Sequence, residues 1–324
     1  MDNKTIYKKT LVFSLKRVFW DVVCIAVILG FATLGYFILS RMGQNGYIGL
    51  AIGAIVGLIP VIIILRFVSY SLKAGQIAMI TRAVTEGELP DNVVGEGKKV
   101  VRERFATVAI YYAATRVIKG IFNQIGHGIS RVGQAVGGNA GGAVGDAVGS
   151  AIRTLVNYLC DCCLGWVFFR KEVNAGKATC EGAVLFFKHG KTLAKNMGRV
   201  FGIGLLTLLL IGGVFTGIFY MVISSFSTHL SVFFDKVAEA MQNSSDPNWL
   251  TSILSNRATL PIAFAAIGGI IVWSVIHSTL IKPYVLTGVL RNYLESGMDD
   301  VPTEDSFRAL DSKSPKFRKL HESL

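Results

Sequence analysis

Residues 22–40 read VVCIAVILGFATLGYFILS, an apolar run that decides the class of fold. Its length matches the roughly 20 residues a helix needs to cross the hydrocarbon core of a bilayer. The flank before it is basic: residues 1–19 carry Lys4, Lys8, Lys9, Lys16 and Arg17 against Asp2 alone. Basic residues crowded beside an apolar span mark the cytoplasmic side. Arg41-Met42-Gly43 follows without a small-residue cleavage site, so the run reads as an uncleaved first helix.

Composition extends that reading to the whole chain of 324 residues. Apolar residues make up 52% and charged residues 17%, with a mean hydropathy of +0.51. Soluble domains usually carry about a quarter charged residues. A soluble enzyme, a disordered tail and a disulfide scaffold are excluded. The expected class is all-α, a polytopic α-helical integral membrane protein with about six transmembrane helices that pack through glycine ridges. Expected locations are the plasma membrane or a bacterial inner membrane. The formal charge of +12 lies largely beside the apolar runs, in residues 1–19 and 170–199. It therefore points to topology and anionic lipid, and no nucleic-acid partner is expected.

The expected spans are 22–40, 47–65, 105–125, 152–169, 200–226 and 260–281, forming one membrane domain over 1–324. Segments 66–104 and 170–199 are expected to be cytoplasmic, amphipathic or basic. Residues 227–259 form the outer loop and 282–324 a cytoplasmic tail, so both termini lie inside. Pro60 is expected to kink the second span. Counting 152–169 as a crossing requires another between 101 and 150. Residues 105–125 compete for it with the glycine tract near 130–150. The first alternative is favoured, although it must accommodate Arg116 and Lys119.

That tract reads GQAVGGNAGGAVGDAVG over 133–149. Gly133, Gly137, Gly141, Gly145 and Gly149 recur at every fourth position, as do Gly49, Gly53 and Gly57 in the second span. Glycine is poor in helices, and its use at this spacing is to let helix backbones approach closely in lipid. Continuing the helical period places Asp146, Ser150, Arg153, Asn157, Cys160 and Asp161 on roughly one face. Two readings of this stripe stay open: interhelical hydrogen bonding, or one wall of a polar pathway. His277 in the last span joins it as an intramembrane ionisable residue.

Cys160, Cys162, Cys163 and Cys180 cluster in sequence, but no second pair shares the Cys160-x-x-Cys163 spacing. Ordinary buried thiols are expected, with no metal and no cofactor. None of the nucleophile, phosphate-loop or dinucleotide motifs occurs, so no enzyme is expected.

From about 145 to 320 the order of features resembles the C-terminal half of the choline-transporter-like family. The residues that carry the likeness are Tyr158-Leu159-Cys160-Asp161-Cys162-Cys163-Leu164, Gly176-Lys177, Cys180, Phe186-Phe187, Asn196 and Arg199. Leu260-Pro261-Ile262, Leu290, Tyr293, Leu294, Glu295 and Pro315-Lys316 complete it. The chain is shorter than that family, with fewer spans and no large outer loop after the first helix. The resemblance implies transport of a small organic cation such as choline, held by aromatic faces.

Two functions follow. The first is a transporter or channel for a small solute. The second is a non-transporting assembly or scaffold subunit that oligomerises through the glycine ridges. Expected partners are the lipid bilayer and either further copies of the chain or other membrane subunits.

Overall fold

The computed structural model describes residues 1–43, 46–105, 120, 158, 160–226, 231, 234–235, 238–239, 253, 255–312 and 314–322. They are all-helical, with no strand among them. Among the described residues, four helical stretches are long and apolar enough to cross a membrane: Asn3–Arg41, Ile48–Thr85, Gly202–Ser225 and Leu260–Met298. The expected span 105–125 lies outside the described residues apart from Phe105 and Gly120. Of 152–169, the described part is Tyr158 and the apolar helix Cys160–Phe169.

The chain divides into two compact units. The first comprises Met1–Met197 with Lys282–Leu324, and the second Gly198–Ile281.

In the first unit, α1 (Asn3–Arg41) changes surroundings along its length. Ile6, Thr10, Phe13 and Ser14 are buried, a helical stripe facing protein. From Leu15 onward many of the large side chains are exposed, Phe19 at 63% and Leu29 at 61%. An exposed face of this kind is stable only where the surrounding solvent is itself apolar. Helix α2 (Gly46–Ile64) runs back antiparallel against α1. A Cβ on Gly49 would run into the Gly35 carbonyl oxygen, and one on Gly53 into the Phe31 carbonyl oxygen. Contact this close leaves no room for a side chain. Pro60 lies inside α2, and a π-helical turn, Leu65–Ser69, links α2 to α3 (Tyr70–Thr85).

Helix α3 is the centre of the packed core. Residues Leu72, Ala74 to Thr81, and Ala83 are all buried. The Phe13 ring is wedged between Gly75 of α3 and Gly97 of α4 (Val93–Arg104), which have no Cβ to collide with it. Gln76 fastens α1 to α3: its amide nitrogen donates to the Thr10 carbonyl at 3.2 Å, and its oxygen accepts from Arg17 at 3.0 Å. Helix α5 (Cys160–Phe169) is buried from Cys160 through Phe168. It packs against α3, α6 (Ala175–Thr207) and α9 (Lys282–Met298): Gly165 meets Leu290 and Thr81, and Gly297 meets Trp166 and Leu185. The Tyr293 hydroxyl of α9 donates to the Gly182 carbonyl at 2.6 Å. Two short helices, α10 (Glu304–Asp311) and α11 (Pro315–His321), close the chain with Phe307 and Phe317 stacked.

In the second unit, a π-helical turn (Leu208–Gly212) leads into α7 (Gly213–Ser225). Helix α8 (Leu260–Ile276) packs antiparallel on it, Gly269 against Thr216 and Gly212, and Gly268 against the Phe219 ring. A further π-helical turn, His277–Ile281, precedes Pro283. Proline lacks an N–H and crowds the carbonyl four residues before it, and a widened turn relieves that crowding.

The α1–α2 approach gives a direct prediction. Gly53→Leu should lower the apparent melting temperature in detergent by roughly 5 °C, since overpacking costs about 1–3 kcal/mol. Gly30→Leu, where a Cβ meets nothing within 4 Å, should leave it unchanged. Equal effects from the two variants would contradict the packing described.

Candidate functional site

Of the polar stripe, Asp146, Ser150, Arg153 and Asn157 lie outside the described residues, as do Gly133, Gly137, Gly141, Gly145 and Gly149. Asp161 is described, and it is fully buried in α5. Its partner is Lys73 of α3, whose Nζ stands 2.5 Å from Asp161 Oδ1 with 28% of the lysine side chain exposed. The contact is one of charge: neither carboxylate oxygen receives an aligned hydrogen bond. Lys282, the first residue of α9, places its ammonium 5.7 Å from the centroid of the Tyr158 ring. The Tyr158 hydroxyl is buried and has no hydrogen-bond partner.

Three of these four side chains come from α3, α5 and α9, and Tyr158 lies two residues before α5. Lys73 lies one turn beyond the π-helical segment ending at Ser69, and Lys282 follows the one ending at Ile281. Both lysines thus stand where a long apolar stretch gives way to packed core. Sequence reasoning found Asp161 and missed Lys73, Tyr158 and Lys282. The Lys73–Asp161 pairing joins positions far apart in the chain, and no local pattern marks it.

A second polar cluster lies at the end of α5. Glu181, 3% exposed, accepts from Trp166 Nε1 and Arg170 Nε, each at 3.0 Å. The hydrogen bond to Glu181 pushes the Arg170 guanidinium above its ordinary range, further into the charged form, despite partial desolvation. Arg104 donates to the backbone carbonyls of Arg170 at 2.9 Å and Lys171 at 3.5 Å, where the chain leaves α5. A cleft of about 270 Å³ opens beside this cluster, with Arg82, Glu86, Lys171 and Glu172 among its lining residues. Glu86 is bound to both cations, at 2.7 Å to Arg82 and 3.4 Å to Lys171. The cleft therefore presents charges already matched to each other.

All five cysteines are free and buried. Burial pushes the Cys180 thiol up to about 12, so it is a poor nucleophile and a poor metal ligand near neutrality. Among the described residues no three His, Cys, Asp or Glu side chains converge on a point that could hold a metal ion.

His277 lies in the second unit, at the start of a π-helical turn. Its ring centroid is 5.1 Å from that of Trp273, whose Nε1 donates to Thr207 Oγ1 at 3.3 Å. Gly204 faces the imidazole, with Nε2 3.7 Å from where its Cβ would be. This is a small polar patch within two apolar stretches.

No family model, no curated protein and no solved structure matches the chain.

The buried charge pair predicts an asymmetry. Lys73→Met strands a carboxylate in the core and should destabilise the protein by about 3 kcal/mol. Lys73→Met combined with Asp161→Leu removes both charges and should recover most of that loss. Thermal unfolding of the two variants in the same detergent compares them, and a double variant no more stable than Lys73→Met would contradict the pairing.

Proposed function

We propose that the chain is a non-transporting membrane assembly subunit. Its apolar helices anchor it and associate with further copies or other membrane subunits, and its packed helical core sits on the cytoplasmic side. The observation that carries this reading is how little of each span is covered by the chain itself. Over the most apolar window of the four stretches, 11%, 24%, 6% and 17% of residues are buried. Helices that enclose a solute path bury much of their surface against one another, whereas these leave theirs for lipid and for other helices. Asp161 supports the same reading, since it neutralises Lys73 inside a protein core. The basic residues of α1 favour the cytoplasmic side for that core. On this reading the glycine repeat of 133–149 joins copies or subunits.

A second reading, a transporter or channel, is favoured by one observation. Trp273, Thr207 and His277 gather polar groups within the apolar stretches, beside a π-helical turn. Such turns recur at functional sites, and intramembrane histidines mark pathways.

Native mass spectrometry from nanodiscs, paired with flux assays in proteoliposomes, separates the two. The assembly reading expects a discrete oligomer or hetero-complex that Gly141→Leu disperses, with no flux of monovalent ions or small organic cations above empty vesicles. Saturable flux that His277→Ala abolishes would overturn it in favour of transport.

A further inference from the structure

Helix α1 and the turn leading into α4 enclose a groove of about 430 Å³ with a surplus of positive charge. Lys9, Val12 and Lys16 line it from α1, and residues 90–94 line it from the other side. Spacings of three and seven residues put the first three on one face of α1. Both lysines are exposed, and among the described residues neither takes part in an ion pair. Asp91 is the one carboxylate among the lining residues, so two ammonium groups face one negative charge. Asn92 Oδ1 already accepts from the Gly95 amide at 2.9 Å. The α4 side therefore supplies shape, and the lysines supply the charge.

The course of α1 beyond the groove decides which anion fits. Phe19, three residues past Lys16 on the same face, is 63% exposed, and Val22, Ile25 and Leu29 continue the exposed apolar surface. Trp20 stands beside Phe19, their rings edge to face at 6.0 Å, and tryptophan collects at headgroup level. At 1.5 Å per residue, Lys16 lies about 4.5 Å short of Phe19 along the helix. Headgroups occupy roughly 5–8 Å on each side of the hydrocarbon, so Lys16 falls within their layer. A free anion would meet only two exposed, strongly hydrated ammonium groups. A phospholipid meets them with its phosphate and lays its chains along the apolar surface that starts one turn on.

We infer that this groove seats the headgroup of one anionic phospholipid. Lys16 binds the phosphate at the membrane edge, Lys9 holds the outer part of the headgroup, and the chains lie against Phe19 and the apolar residues beyond it. The inference rests on α1 crossing the bilayer with its basic end in the cytoplasm, and it holds for an assembly subunit and a transporter alike. Basic flanks attract anionic lipid in general. Here Lys9 and Lys16 share one groove, while Lys4 and Lys8 are not among its lining residues.

Native mass spectrometry of the full chain in a non-ionic detergent tests the site, with phosphatidylglycerol and phosphatidylcholine titrated in competition. The wild type should take up one phosphatidylglycerol in preference to phosphatidylcholine. Lys9→Gln combined with Lys16→Gln should weaken that binding roughly thirtyfold, a loss of about fivefold for each lysine. Lys4→Gln combined with Lys8→Gln removes the same charge from exposed positions outside the groove and should leave the binding nearly unchanged. Equal losses from the two double variants would mean diffuse attraction and overturn the site, as would equal uptake of the two lipids by the wild type. Displacement of phosphatidylglycerol by inorganic phosphate would reassign the groove to a soluble anion and overturn the lipid assignment. Release of the wild type from vesicles by alkaline carbonate would overturn the crossing of α1 itself, a failure distinct from loss of lipid preference.

Discussion

Inside a bilayer every backbone N–H and C=O must find its partner within the protein, and that constraint governs the rest of this structure. A helix cannot end in hydrocarbon without leaving four donors or four acceptors bare. Three of the four stretches continue well beyond the length of a crossing at one end. Helix α1 runs through from Asn3 to Arg41. The stretches Ile48–Thr85 and Leu260–Met298 are likewise far longer than a crossing requires. The latter two each carry a π-helical turn part-way along, Leu65–Ser69 and His277–Ile281. In α1, Ile6, Thr10, Phe13 and Ser14 are buried near the start, and beyond them the buried residues are Cys24 and Ala32.

Such continuity places demands on the core that the helices build. Helices α3, α6 and α9 of the first unit meet around α5, which is apolar and covered along nearly all of its described length. The close contacts use residues that keep volume low at the crossing points: Gly75 and Gly97 around the Phe13 ring, Gly165 against Leu290, and Gly297 against Trp166. Polar groups inside this core are few and are mostly tied to backbone or to opposite charge, as with Gln76, Glu181 and Tyr293. Asp161 is the expensive one. A buried carboxylate paired this way contributes little net stability, since its desolvation offsets its attraction to Lys73.

The helical class and the existence of membrane-length apolar helices were legible in the sequence, since both rest on local composition and run length. Residues 22–40 announce themselves in isolation. The packed core was not legible. Residues 160–169 have the composition of a transmembrane segment, and hydropathy cannot distinguish burial in lipid from burial in protein. Cys160 through Phe168 are each covered by protein, a fact that hydropathy alone does not reveal. The candidate site was only half visible for a related reason. Asp161 stands out as a charge in an apolar run, while Lys73 sits in an amphipathic stretch where a lysine attracts no notice.

The π-helical turn at Leu65–Ser69 has a geometric consequence for the first unit. Each residue of an α-helix advances the side-chain direction by about 100°, and a π-helical turn accommodates one residue more than an α-helical turn does. The extra residue therefore resets the angular phase between α2, whose contact line faces α1 through Gly49 and Gly53, and α3, whose contact line carries Gln76. If one residue were deleted from this turn, composition and hydropathy would be almost unaltered, yet the two contact lines would point in incompatible directions. The turn acts as a phase adjuster, letting one continuous rod obey two packing registers at once.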